Sequence, residues 1–152
     1  MVTSTVQQQL AASLTRVSAR HAWVLARASG ELDRRIGSSL GEEKLSIEQW
    51  RVLELLAVGG PCPMSALASA TGINGATLTR IVDRLVSRAL VYRSADSADR
   101  RHVLIHISAR GRSLTDRVRP AVARAEDEAL QDLSAAEREE LIQLLGRLAP
   151  QD

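Results

Sequence analysis

Residues 63–108 read PMSALASATGINGATLTRIVDRLVSRALVYRSADSADRRHVLIHIS, and the order of signals in them decides the fold. Pro63 suits a first helical turn, so a short helix is predicted over Met64 to Ala70. Thr71-Gly72 makes a turn, with Gly72 able to take the positive φ that a sharp inter-helix corner needs. Asn74 is an N-cap for the next helix, from Gly75 to about Arg88. Two strand-like runs follow, Leu90 to Ser94 and His102 to Ile107, the second with Val103, Ile105 and Ile107 on one face. Between them lies Asp96-Ser97-Ala98-Asp99-Arg100-Arg101. A helix, a tight turn, a helix and an arginine-tipped hairpin are the parts of a winged helix-turn-helix. That unit sets one helix in the DNA major groove and the hairpin against the backbone or the minor groove.

The Gly75–Arg88 helix divides into two faces. Leu78, Ile81 with Val82, Leu85 and Ala89 recur at helical spacing and point inward, close to the small Ala68 of the preceding helix. Ala76, Thr77, Arg80, Arg84 and Ser87 point outward. Small residues at the N-terminal end of that face permit close approach to base edges. Thr77 can donate to a base or touch a thymine methyl, and Arg80 can fork onto guanine. Arg93 on the incoming strand and Arg100 and Arg101 at the tip suit the minor groove or the phosphates. Asp99 reads as an orienting partner for Arg80 or Arg101.

The charge distribution agrees with this. Net charge is only +2. Yet Asn74 to Arg112 holds eight arginines against three aspartates, a local +5, while Glu126 to Asp152 holds eight acids against two arginines, a local −6. An anionic partner is implied for the middle of the chain alone. Nineteen of the 20 basic residues are Arg, the side chain that pairs bidentately with phosphate and guanine.

The flanks read as helices. A long pattern runs from Leu10 to about Ser39 and ends at Gly41. Ser46 and Gln49 form a capping box for a helix carrying Trp50, Leu53 and Leu56, which stops at Gly59-Gly60-Pro61. Ser108 caps another helix, in which Pro120 predicts a kink or break. Ser134 and Glu137 form a capping box for a last helix with Leu141, Leu144, Leu145 and Leu148 on one stripe. The fold class is therefore mainly α: a winged helix-turn-helix with long flanking helices and one small antiparallel hairpin. Its divisions fall at residues 1–45, 46–108 and 109–152.

Catalytic chemistry is not expected. There is no glycine-rich phosphate loop, nucleophile elbow or paired-carboxylate context. His21, His102 and His106 lack metal-ligand spacing, so neither metal nor other cofactor is expected. No apolar run approaches the ~20 residues of a membrane span, and no signal-peptide core is present. A cytoplasmic protein without membrane association is the expectation. The single cysteine, Cys62, precludes an internal disulfide. It sits between Pro61 and Pro63 before the short helix, whose N-terminus can lower a thiol pKa, but a structural role is the expectation for it.

At this point the chain resembles the MarR family (multiple-antibiotic-resistance regulators). The matching pieces are MSALASATGINGATLTRIVDRLVSRALVYR, DSADRRHVLIHIS and ARGRSL. Thr79 to Leu85 and the Asp99-Arg100-Arg101 tip are the specific parts. The resemblance implies a homodimer joined through the first and last two helices, each winged helix reading half of a near-palindromic operator in double-stranded DNA. It puts base and phosphate contacts on Thr77, Thr79, Arg80, Arg84, Arg100 and Arg101. It also implies a small phenolic or carboxylate effector between the dimerisation helices and the winged unit, where Arg16, Arg20, His21, Trp23 and Trp50 are the candidates. The chain departs from the pattern at Ala89, often Gly, and at Ala98, often Pro. The implied function is a dimeric, sequence-specific transcriptional repressor released by such a ligand. The alternatives are a cysteine-based redox regulator and a winged-helix protein-interaction module that does not bind DNA.

Overall fold

The computed structural model describes residues 19–95 and 103–148. Helix α1 spans Arg20–Ser39 and a 3-10 turn spans Gly41–Glu43. Then come α2 (Ile47–Gly59), β1 (Cys62–Pro63), α3 (Met64–Thr71), α4 (Gly75–Ser87), β2 (Val91–Ala95), β3 (Val103–Ile107), α5 (Ala109–Ala129) and α6 (Ala135–Gly146).

Local chemistry starts these helices where the sequence says it should. At α2 the Ser46 hydroxyl accepts the Gln49 N–H at 3.2 Å, and the Gln49 side chain accepts the Ser46 N–H at 3.1 Å. Asn74 Oδ1 accepts the Thr77 N–H at 3.0 Å. Ser108 Oγ accepts the Gly111 N–H while donating to the Ala89 carbonyl, so one hydroxyl starts α5 and ties it to the end of α4. Ser134 and Glu137 close the box on α6. Each cap satisfies helix-end donors that would otherwise lack a partner.

Leu53, Leu56, Leu67, Leu78, Val82, Leu85 and Ile105 bury their side chains almost completely between α2, α3, α4 and the sheet. Gly72 takes the predicted left-handed turn, at φ 67, and its N–H donates to the Ala68 carbonyl. Gly111 is needed for a different reason. A Cβ there would fall on the carbonyl oxygen of Leu90, so α5 crosses the root of the hairpin with backbone against backbone.

Four expectations are corrected. The first helix of the described residues begins at Arg20, because Ala19 is left-handed at φ 62 and cannot lie inside a right-handed helix; Leu10 to Ser18 lie outside the described residues. The hairpin is the larger part of a three-stranded antiparallel sheet in the order β1-β3-β2, with Cys62 opposite Ile105 and Tyr92 opposite His106. Pro63, extended at φ −71 and ψ 161, belongs to that added strand and caps α3 rather than opening its first turn. Helix α5 runs unbroken through Pro120; Asp116 and Pro120 both face solvent, so the Asp116 carbonyl that loses its N–H partner meets water.

Candidate nucleic-acid interface

Helix α4 presents a dry face and a wet one. Leu78, Val82 and Leu85 are buried and hold it on α2 and α3, whereas Ala76, Thr77, Thr79, Arg80, Arg84 and Ser87 are all exposed. The Thr79 hydroxyl donates to the Gly75 carbonyl at 2.8 Å and that of Ser87 to the Arg84 carbonyl at 2.8 Å. Both hydroxyls are thereby aimed, and each oxygen keeps acceptor capacity. Among the described residues no partner engages the guanidinium of Arg80 or Arg84. One helical turn apart on the exposed face, they can both address one groove.

The sheet braces this face. Arg93, expected to touch DNA, reaches back to α4 and pairs with Asp83, Nη2 to Oδ1 2.7 Å. Asp83 of α4 is therefore the acid that holds Arg93; the pair is ten residues apart in sequence, and no local pattern announces it. On the outer face of the sheet Tyr92 stacks on His106, ring centroids 4.9 Å apart and 12° from parallel, and the Ser94 hydroxyl lies 2.8 Å from His106 Nε2. Asp99, Arg100 and Arg101 lie outside the described residues.

The effector candidates are not brought together. Arg20, His21 and Trp23 are exposed at the start of α1, Trp23 to 55%. Trp50 is buried in α2 and lines a cleft of about 320 Å3 with Arg51, Glu54, Leu55, Ala70 and Thr71. None of Arg20, His21 or Trp23 borders that cleft, and Arg16 lies outside the described residues. Arg51, which sequence reasoning missed, is held by Asp33 of α1 at 2.7 Å. Cys62 fits a structural role rather than an activated thiol. Burial pushes its thiol pKa up from the ordinary value, so α3 does not activate it. Among the described residues no cluster of His, Cys, Asp and Glu could hold a metal ion, and no helix is long and apolar enough to cross a membrane.

Known proteins share this arrangement. A family model described as MarR family matches residues 45–103. The HTH-type transcriptional repressor NicR of Pseudomonas putida is 32% identical over 111 residues, covering 73% of this chain and 70% of that protein. The structure of BpsR from Bordetella bronchiseptica, a study of how 6-hydroxynicotinic acid regulates its DNA binding, is 30% identical with a TM-score of 0.78. The match covers 86% of this chain and 94% of that one. CouR from Rhodococcus jostii RHA1, bound to p-coumaroyl-CoA, is 25% identical with a TM-score of 0.79 and covers 86% and 93%.

Proposed function

The chain belongs to the MarR family of DNA-binding transcriptional regulators, which are not enzymes, and from that premise we propose that it is a homodimeric repressor released by a small aromatic or carboxylate ligand. The exposed face of α4 carries the reading. Thr77, Thr79, Arg80, Arg84 and Ser87, with Ala76 allowing close approach, enter the major groove. Arg100 and Arg101 grip alongside, Asp99 serves as orienting partner for Arg80 or Arg101, and Arg93 serves by locking the hairpin to α4 through Asp83. Residues 46–108 form the reading unit, and residues 1–45 and 109–152 form the dimerisation region. Two reading helices in a two-fold dimer address half-sites about 34 Å apart, one turn of B-DNA, so the operator is near-palindromic. The regulator works beside the chromosome, in the cytoplasm.

Dimerisation is supported by apolar surface that a lone subunit leaves wet. Trp23, Val24 and Leu25 of α1 and Ile142, Leu144, Leu145 and Leu148 at α6 are exposed, Leu148 to 72%. Leu25, Leu32, Leu130, Leu141, Leu145 and Leu148 line a groove of about 590 Å3. Contiguous apolar surface of this kind marks an interface. The effector enters the Trp50 cleft, whose Ala70 and Thr71 belong to α3, the helix packed on α4; a ligand there shifts the spacing of the two reading helices. It acts only insofar as it binds the two dimer geometries with different affinity.

Nuclease protection on the DNA around its own gene, with and without 6-hydroxynicotinic acid or p-coumaroyl-CoA as probes, tests the reading. Two protected half-sites about ten base pairs apart, lost on adding a probe, are expected. Failure to protect or retard any duplex at low salt would reject DNA reading. Protection indifferent to both probes would reject release by these two ligands.

A further inference from the structure

A cavity of about 180 Å3 lies between the 3-10 turn, the end of α4 and the start of α5, apart from both the reading face and the Trp50 cleft. Arg88, Arg110 and Arg117 line it with one acid, Glu43, over a floor of Leu90 and Leu114. Arg88 is fixed in place: Nη1 donates to the Lys44 carbonyl and Nη2 to the Glu43 carbonyl, each at 2.9 Å. Those acceptors are neutral, so they set the position of the guanidinium without cancelling its charge. Arg117 Nε donates to Glu43 Oε1 at 3.0 Å, which uses the carboxylate. Arg110 precedes Arg117 by seven residues and lies on the same flank of α5. Among the described residues its guanidinium has no partner.

Three guanidinium groups therefore border a small polar space that holds one negative charge: Arg88 held by backbone carbonyls, Arg117 paired with Glu43, and Arg110 free among the described residues. The volume is several times the share of one water in the liquid, about 30 Å3, enough for a tetrahedral oxyanion. Guanidinium forks match phosphate oxygens in geometry as well as charge. We propose that this cavity is a phosphate-group site. Arg88 directly follows Ser87, the last residue of α4, so the phosphate is either one from the backbone of bound DNA or a free anion. The first source rests on the proposed DNA reading; the second does not.

Two measurements on the full chain separate the sources, each comparing the native protein with Arg110→Gln and Arg117→Gln. Arg110 is exposed and unpartnered among the described residues, so its replacement should leave the fold intact. In the first, thermal unfolding is followed against inorganic phosphate, with chloride at equal ionic strength as reference. A free-anion site gives a saturable rise in Tm for the native chain that both variants lose. In the second, duplex affinity is followed against salt. A backbone-phosphate site gives a three- to tenfold loss in both variants on every sequence, with the slope of log K against log salt flatter by about one. Either result supports the site and names its source. Variants that match the native chain in both measurements overturn it. If the native chain binds no duplex, the DNA reading falls and the phosphate titration alone decides the site.

Discussion

At Ala89 the chain keeps a methyl group where its backbone does not want one. The residue sits at φ 55, the left-handed region, between the end of α4 and β2, and its carbonyl accepts from the Ser108 hydroxyl. An L-residue there costs about 1–2 kcal/mol. Ala89→Gly should therefore stabilise the fold by up to about 1 kcal/mol, the unfolded chain's extra entropy offsetting part of the gain. Urea unfolding would show the rise in midpoint, and a lower midpoint would refute the strain. Arg80 is the residue on which sequence reading depends most. Arg80→Ala should cost about 1–3 kcal/mol of operator binding and relax preference at one base pair; unchanged affinity in a titration would remove Arg80 from the groove. The thiol of Cys62 shows the limit of residue-level reading. Its neighbour in sequence is a helix start, which favours thiolate, but the tertiary fold half-buries it in a strand opposite Ile105, and desolvation raises its pKa.

Among elements, what a few neighbouring residues encode was legible and what distant ones supply was not. Ser46, Asn74, Ser108 and Ser134 each announce a helix start within four residues, and each caps as read. The two-residue strand β1 carries no such signal, since it exists only because β3 offers it an open edge. Passage of α5 through Pro120 depends likewise on which side faces water. The Asp83–Arg93 pair belongs to this class, and it couples two elements. At the surface such a pair contributes under about 1 kcal/mol to stability. Asp83→Asn should therefore leave the unfolding midpoint nearly unchanged while lowering affinity for all duplexes several-fold, by freeing the hairpin from α4. Equal affinity in a binding isotherm would show that the brace is idle. On α1, Glu31 is gripped by Arg34 and Arg35, each at 2.7 Å, which hold its carboxyl at about 2, below the usual 4.5. The folded value is the lower one, so the stabilisation is complete above pH 4.5 and is lost as pH falls through 2. The Tm difference between the native chain and Glu31→Gln should hold steady from pH 7 to about 5 and close between pH 4.5 and 2. A gap that closed near neutrality would contradict the pairing.

For the whole molecule, the winged unit was readable from one stretch of sequence because helix period, turn glycine and strand alternation all fall within it. The layout of the flanking helices was readable only as apolar stripes. Those stripes say that something covers them without saying at what angle. If a second copy covers α1 and α6, Leu145→Glu should yield a monomer in sedimentation and abolish tight operator binding while the winged unit stays folded. A dimer that survives the change would move the interface elsewhere. The salt response belongs to this scale as well, because the proposed dimer would bring two +5 faces to one duplex and give a steep fall of affinity with salt.

Where α5 crosses the hairpin root, the side-chain cushion that normally separates packed elements is missing, because Gly111 lies bare against the Leu90 carbonyl. Such a seam has nothing compressible in it. A tilt of α5 at this point bears directly on the backbone that leads from α4 into β2, as a lever bears on its pin. The twenty-one residues of that helix span about 30 Å, so a shift of an ångström or more at its far end is a rotation of only a few degrees at the seam.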